Sequence, residues 1–384
     1  RVNPRIGIIG AGTILPHHVR AYQDIGAPVT AIADVDAKPV AAAASANRIA
    51  FHTTDYRDLI GHDDVDIVDV CAPPRFHRDM CVAALEAGKH VICEKPLAIS
   101  LRDCDEIVAA AERADRRLIV LHQNRATATF LRMRWLIDND QIGRPLMAQA
   151  LRYDPPPAAL VAQGVWGDWA LAGGGVLMTK AIHQLDLMLW LMGPVKRVQA
   201  FMRTMAHPIE SEDHLVANFW FANGALGSFC ASARRGPFIE RLDIVGEHGG
   251  AGQPWNLMMA SGAAQSSLGA RLGRLFPLPK RGWRGRLTEI RRALQRRRKQ
   301  PMRPSPYDNG HTHFLRAALA CVRGEAENPC TATEGRAAVE LCQAIYQAAI
   351  SGQTVDLPLR PDAATYQGVS RDAYQRDPRP ATVG

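Results

Sequence analysis

Ile6-Gly7-Ile8-Ile9-Gly10-Ala11-Gly12-Thr13-Ile14-Leu15-Pro16 begins as a β-branched run, tightens into two glycines and leads into a helical pattern. Strand, loop and helix thus follow in the order a phosphate-binding loop requires. Glycine lets the backbone turn sharply and lets a pyrophosphate approach it, while the helix N-terminus offers unpaired N–H groups and a positive dipole end. Gly10, Gly12, Thr13 and Ile14 are the candidate contacts. The Gly-x-Gly-x-x-Gly pattern is incomplete, because Leu15 stands where its last glycine belongs. That change affects helix–strand packing more than the phosphate contact. Asp34, 22 residues beyond Gly12 and at the end of the next strand pattern, is the acid expected on the adenosine ribose hydroxyls. A carboxylate there repels a 2′-phosphate, and Lys38 is the only cation near it, so NAD is favoured over NADP.

Working outward, short β-branched runs alternate with helical patterns through about residue 125, the signature of βαβ units on a parallel sheet. Strands are expected over 6–9, 29–33, 65–71, 90–93 and 118–121. Helices are expected over 19–26, 40–50, 77–88 and 100–113. After Arg125 the texture changes to longer, more widely spaced strand patterns at 147–153, 195–203, 214–221, 225–231 and 240–246. Asn223-Gly224 marks a hairpin between two of them. Helical patterns cover 129–138, 176–191, 313–323 and 333–351. The expected fold is α/β: an N-terminal Rossmann domain with a doubly wound parallel sheet (1–125) and a C-terminal α+β domain with a largely antiparallel open sheet (126–360). A basic insertion is expected at about 252–310 and a Pro-punctuated tail at 361–384.

The 384 residues are 47% hydrophobic and 22% charged, which excludes collagen-like, disordered and disulfide-scaffold classes. No apolar run reaches the length of a membrane-spanning helix. Eight scattered cysteines without a Cys-x-x-Cys pair read as reduced thiols, and no apolar leader precedes the first strand, so a cytoplasmic protein is expected. The net charge of +8 is unevenly placed. Arg271 to Arg303 holds thirteen Lys or Arg against one acid, Glu289, so that segment carries +12 and the remainder −4. The segment is either a solvated insertion or an attractor of an anionic substrate or membrane surface. It lacks the aromatic platform of a specific nucleic-acid site.

Three further segments carry a family resemblance: Ala72-Pro73-Pro74-Arg75-Phe76-His77, Gly88-Lys89-His90-Val91-Ile92-Cys93-Glu94-Lys95-Pro96, and Gly173-Gly174-Gly175 followed by Thr179, Lys180, His183 and Asp186. With the N-terminal loop, Ile142-Gly143-Arg144-Pro145, Glu212-Asp213 and the segment from Ser351 to Pro358, they make the chain similar to the Gfo/Idh/MocA oxidoreductases over nearly its whole length. The resemblance implies hydride transfer between NAD(P) and a sugar, sugar derivative or cyclitol, no metal, and a homo-oligomer (dimer or tetramer) through the C-terminal sheet. It implies cofactor contacts from Pro73, His77, Glu94 and Lys95.

Alcohol oxidation needs a base for the hydroxyl proton, and His183 has the right chemistry at the family's position. Lys95 would hold the reacting oxygen and stabilise a developing alkoxide. Many relatives carry an aspartate where this chain has Thr179, so a carboxylate mechanism at that point is in doubt. Thr179 is expected to flank the substrate from the His183 face. Lys180 either holds a substrate anion or is a solvated helix lysine. Trp166 and Trp169 either wall the substrate pocket or pack. Asp186 is expected to support a local network, and Arg125 to touch cofactor or substrate. His311 and His313 are not expected to bind a metal, because the sequence places no third ligand near them. Two rival functions remain at this point: an NAD-dependent glycosidase of the same family, and a non-catalytic nucleotide-sensing regulator.

Overall fold

The computed structural model describes residues 3–156, 158–162, 164, 166–234, 238–252, 256–259 and 310–375. The expected basic cluster, Arg271–Arg303, and the last nine residues of the expected tail lie outside the described residues.

The N-terminal half is a six-stranded parallel sheet. Its elements are β1 (Ile6–Ile9), α1 (Leu15–Ile25), β2 (Val29–Ala33), α2 (Ala37–Asn47), β3 (Phe51–Thr53), α3 (Tyr56–Ile60), β4 (Ile67–Val70), α4 (His77–Glu86), β5 (His90–Glu94), α5 (Leu101–Ala114) and β6 (Leu118–Leu121). The strand order is β3-β2-β1-β4-β5-β6, the doubly wound arrangement whose order reverses beside β1. Ile6, Ile8, Ile32, Ile67, Val68 and Ile92 are fully buried, because helices cover both faces of a parallel sheet. The caps follow sequence chemistry. Asp36 and Asp55 accept from the N–H groups of Lys38 and Arg57 at the starts of α2 and α3, and Ser100 accepts from Asp103 at the start of α5.

The chain then passes through α6 (Ala128–Asp138), β7 (Pro145–Tyr153), α7 (Ala158–Ala162), α8 (Trp169–Ala172), a π-helical turn over Leu177–Ala181, and α9 (Ile182–Met192). There follow β8 (Val195–Arg203), β9 (His214–Phe221), β10 (Leu226–Ser232), β11 (Ile239–Gly246), β12 (Gly249–Gly252) and β13 (Asn256–Met259). The last elements are α10 (Gly310–Val322), α11 (Ala332–Ser351), β14 (Val355–Asp356) and α12 (Arg371–Gln375). The second sheet has the order β13-β12-β11-β7-β10-β9-β8-β14. It is antiparallel apart from the β10–β7 pair. Burial alternates along β8 and β9, so one face is packed and the other is bare.

Two features differ from expectation. The segment from 361 onward is not a loose strap as far as it is described. Tyr366 and Tyr374 are buried, the Tyr366 carbonyl accepts from the Leu101 N–H, and the Tyr374 and Thr204 hydroxyls are hydrogen-bonded at 2.8 Å. In addition, α10 packs on α1, and α11 packs on α5 as well as on β8. The C-terminal helices therefore bind the two sheets together.

Candidate active site

The dinucleotide cradle lies at the carboxyl ends of β1, β2 and β4. Gly10 has φ +112°, and a Cβ there would lie 2.7 Å from the Cys71 carbonyl oxygen, so the loop can approach β4 only as glycine. At Gly12 a Cβ would meet nothing within 4 Å, which leaves space directly over the loop. Helix α1 begins after Thr13 and Ile14 without a side-chain cap. The Leu15 and His17 N–H groups already donate to the Gly12 and Ile14 carbonyls and Pro16 has none, so an anion would meet the N–H groups of the loop itself, at Gly12, Thr13 and Ile14, and the positive end of the helix. Asp34 stands at the end of β2, where one carboxylate oxygen accepts the Ala11 N–H at 2.6 Å and the other the Asp36 N–H at 3.0 Å. A glycine-floored space, an uncapped helix start and a carboxylate at the rim fit a dinucleotide lacking a 2′-phosphate. Bound there, NAD supplies the acceptor or donor of a hydride.

Behind the cradle lies a buried chain of titratable groups in which Glu94, expected at the cofactor, is the one candidate residue. His18 Nδ1 is 2.7 Å from Asp69 and its Nε2 is 3.0 Å from Glu94. The Tyr22 hydroxyl donates to Asp69 at 2.8 Å. Burial disfavours charge on His18, but Asp69 beside it prevails and lifts its pKa well above the ordinary value. Burial likewise opposes the Glu94 carboxylate, yet His18 holds it down to about 2. The other Glu94 oxygen accepts the Lys95 N–H at 3.0 Å. Glu94 therefore fixes the backbone that presents Lys95. The sequence offered one signal for this, a histidine one helical turn past the glycine loop. The fold also corrects the reading of His311: ligand-type atoms of His18, Glu94 and His311 all lie within 4.8 Å of one another. Both nitrogens of His18 already face carboxylates.

Lys95 is half-buried, and its Nζ donates to the Thr179 carbonyl at 2.9 Å, from the end of β5 across to the π-helical turn. Burial lowers its pKa; Glu94 opposes that shift, and Lys180 and Arg152 add to it. His183 sits in the first turn of α9. Burial drives its pKa well below the ordinary value, and Lys95, His122 and Arg152 deepen the shift. Its Nδ1 is enclosed without a hydrogen-bond partner, which leaves Nε2 as the nitrogen for a substrate. The π turn explains how Lys95 finds an acceptor. The Ile182 N–H bonds five residues back to the Leu177 carbonyl, so the ordinary helical ladder is interrupted where the Thr179 carbonyl turns to Lys95.

The triple glycine is a matter of clearance. A Cβ at Gly174 would lie 2.0 Å from the Tyr346 hydroxyl, and one at Gly175 would lie 1.7 Å from the Glu212 carbonyl. Glu212, fully buried, accepts the N–H groups of Gly175 (3.1 Å) and Leu177 (2.9 Å) and anchors the start of the segment that carries His183.

Several expected contacts take another form. Arg125 is 4% exposed and gives its guanidinium to Asp186 at 2.6 and 2.9 Å and to Glu334 at 2.9 Å. It clamps β6, α9 and α11 together and spends four of its five N–H donors on Asp186, Glu334 and the Pro329 carbonyl. Asp186 serves that pair and makes no direct bond to His183. The Thr179 hydroxyl is consumed internally, donating to the Gly175 carbonyl at 2.7 Å and accepting from Trp166 Nε1 at 2.9 Å. Trp166 and Trp169 are both buried, Trp169 against Tyr346 and Tyr374. His77 is fully buried, with its ring nitrogens 2.9 Å from the Pro96 carbonyl and 2.8 Å from that of Ala72; it joins two loops of the crevice without facing it. Pro73 precedes the short helical turn Pro74–Phe76 that leads into α4. Lys180 faces Asp154 at 3.5 Å. Arg152, missed by sequence reasoning, lies between Asp154 (2.6 Å) and Glu240 (2.9 Å) beside this cluster. Its only sequence signal is a cation at a half-buried strand position.

Comparison with known proteins agrees with this geometry. Residues 4–122 match the family model described as the oxidoreductase family, NAD-binding Rossmann fold, and residues 130–251 match the GFO/IDH/MocA C-terminal domain. The chain is 34% identical over 230 residues to 1,5-anhydro-D-fructose reductase of Ensifer adhaerens, covering 59% of this chain and 68% of that protein. It is 31% identical over 194 residues to inositol 2-dehydrogenase of Salmonella paratyphi B, covering 49% of this chain and about half (54%) of the relative. Among solved structures, the WlbA dehydrogenase of Bordetella pertussis with NADH and UDP-GlcNAcA superposes with a TM-score of 0.78 at 27% identity, covering 93% of this chain and 99% of that one. An NAD cradle, a lysine from the end of β5 beside a histidine from α9, and both domain matches have one explanation: this chain is a member of the Gfo/Idh/MocA family of NAD-binding oxidoreductases.

Proposed function

We propose that this protein interconverts a secondary alcohol and a ketone on a sugar, a sugar derivative such as a nucleotide sugar, or a cyclitol, with NAD as the redox partner. The observation that carries the reading is the Lys95–Thr179 bond, which brings an ammonium from β5 to the turn before His183. His183 is buried and Lys95 half-buried, and the nearby ammonium lowers the imidazole's affinity for a proton. His183 is then neutral at physiological pH and able to take the hydroxyl proton at Nε2, or to return it when a ketone is reduced. Lys95 orients the reacting oxygen and stabilises negative charge on it, worth most where water is excluded. Lys180 and Arg152 are balanced there by Asp154 and Glu240, so this cluster by itself does not select an anionic substrate.

The bare sheet face supports self-association. Phe201 (68% exposed), Val216, Trp220 and Leu226 on the strands, with Met205 (73%) just past β8 and Phe238 (57%) just before β11, are left exposed among the described residues. Contiguous apolar exposure of this kind marks an interface, and a second copy of the chain is the partner we assign to it. All eight cysteines are free, as suits a reducing compartment such as the cytoplasm, and among the described residues no helix is long and apolar enough to cross a membrane.

The test is a screen of NAD⁺ reduction over sugars, sugar acids, cyclitols and nucleotide sugars, run on wild type, Lys95→Met and His183→Ala. Wild type should generate NADH with at least one substrate, while each variant loses about a hundredfold or more in kcat and still binds NADH. A His183→Ala enzyme as fast as wild type would remove His183 from the chemistry.

A further inference from the structure

His122 follows β6 directly and is fully buried, as is most of His183. The two imidazoles meet edge to face, with centroids 6.0 Å apart and planes at 89°. Three of their four nitrogens are sealed from solvent without a hydrogen-bond partner: Nδ1 and Nε2 of His122 and Nδ1 of His183. Buried polar atoms are nearly always paired, so three orphans in one place point to a function. Among the described residues the carboxylate within 4 Å of them is Asp186, whose Oδ2 lies 3.6 Å from His122 Nδ1 and also accepts from Arg125.

A single proton arrangement satisfies all three. A base that takes a substrate proton at Nε2 must carry its own proton on Nδ1. That N–H needs an acceptor, and His122 Nε2 can be one if His122 is protonated on Nδ1, which then donates to Asp186. The contacts are longer than hydrogen bonds in the free protein. Catalytic hydrogen bonds are commonly long before substrate binds and tighten in the complex. Burial keeps His122 neutral by pushing it down to about 4, as the accepting role requires.

We propose that His122 is a positioning residue that fixes His183 in the Nδ1–H tautomer and links it to the Asp186 carboxylate, so that His183 becomes a more effective base when its proton arrives. The proposal rests on His183 being the acid–base group. Charge on His183 would otherwise form beside Lys95, Arg152 and His311, all of which disfavour it, as His122 does when it carries a charge of its own. The link to Asp186 supplies the opposing negative charge.

The experiment uses full-length protein labelled with [15N]histidine, read by long-range proton–nitrogen correlation with and without NADH. Wild type should show His122 and His183 as Nδ1–H tautomers, and in His122→Phe, which keeps the packing volume, His183 should gain an Nε2–H population. With the substrate found in the screen, His122→Phe should lower kcat about a hundredfold with KM and NADH affinity unchanged, and His122→Gln should recover part of the loss. A wild-type His183 in the Nε2–H form, an unchanged tautomer in His122→Phe, or an undiminished kcat would each overturn the proposal. The wild-type tautomer decides the point even where a variant does not fold. Failure of wild type to bind NADH or turn over any substrate would instead sink the oxidoreductase reading.

Discussion

Glu212 offers a quantitative test of how the His183 segment is anchored. Its carboxyl is completely buried, accepts two backbone N–H groups and a hydroxyl from Tyr346 at 3.2 Å, and has no cation bonded to it. Burial pushes it up from 4.5 to about 7, against the pull of Leu177, Gly175 and Tyr346. The folded pKa is thus raised above the unfolded one. The native state binds the proton more tightly, so this group favours folding below pH 4.5 and loses that advantage as pH rises through about 7. Two and a half units amount to roughly 3 kcal/mol between the two limits, and between pH 5.5 and pH 8 the share is roughly 2 kcal/mol.

Wild-type stability alone would hide this. Buried His77, His122 and His183 and half-buried His90 and His311 have depressed pKa values, so each adds stability that is present above its ordinary pKa and lost as pH falls. Their trend opposes that of Glu212 between about pH 4.5 and 6.5. The informative quantity is the difference between Glu212→Gln and wild type, from which the histidines cancel. Glutamine keeps the shape but turns an NH₂ toward one of the two N–H groups, at a pH-independent cost of about 1–3 kcal/mol. Relative to wild type, the variant should gain about 2 kcal/mol on going from pH 5.5 to pH 8, or a relative Tm shift of about 2–3 °C for a chain of this length. Thermal unfolding of both proteins across that range measures it. A constant difference would show that Glu212 is ionised throughout and that its N–H contacts outweigh burial.

Two other perturbations separate structural from cofactor roles. Arg125→Ala leaves Asp186 buried with a lost partner and should cost about 3–5 kcal/mol in stability, measured by denaturant unfolding, while the folded fraction keeps its NADH affinity; a large loss of affinity at unchanged stability would restore Arg125 as a cofactor ligand. Asp34→Ser should weaken NADH binding about tenfold, through loss of charge-assisted bonds to the ribose, and improve NADPH binding, both read by fluorescence titration; unchanged discrimination between the two cofactors would place the ribose elsewhere.

What could be read from sequence is what the chain settles locally. Gly10, Gly12 and Asp34 are recognisable because strand, turn and helix start are consecutive, and the second carboxylate follows at the end of the adjacent strand. Strand β3 has three residues, and β12 is Gly249-Gly250-Ala251-Gly252, so neither has an alternation to detect. Arg125 illustrates a different failure. Its place at the end of β6 was legible, but its partners Asp186 and Glu334 stand 61 and 209 residues away, and a side chain that could serve cofactor is consumed by them.

Thr179 shows where a correct rule meets the wrong geometry. Residues four apart share a face only while the helix turns at 3.6 residues. The π turn over Leu177–Ala181 widens that spacing just before His183, and the Thr179 hydroxyl turns back to Gly175 and Trp166. The position still contributes to the site, but through its main chain, whose carbonyl takes the Lys95 ammonium. Replacement of the family's aspartate by threonine therefore removes a carboxylate without removing the anchor for Lys95, since any residue supplies a carbonyl. Proton transfer is left to the imidazole of His183, and the need to stabilise its charged form moves away from the substrate, to whatever faces Nδ1.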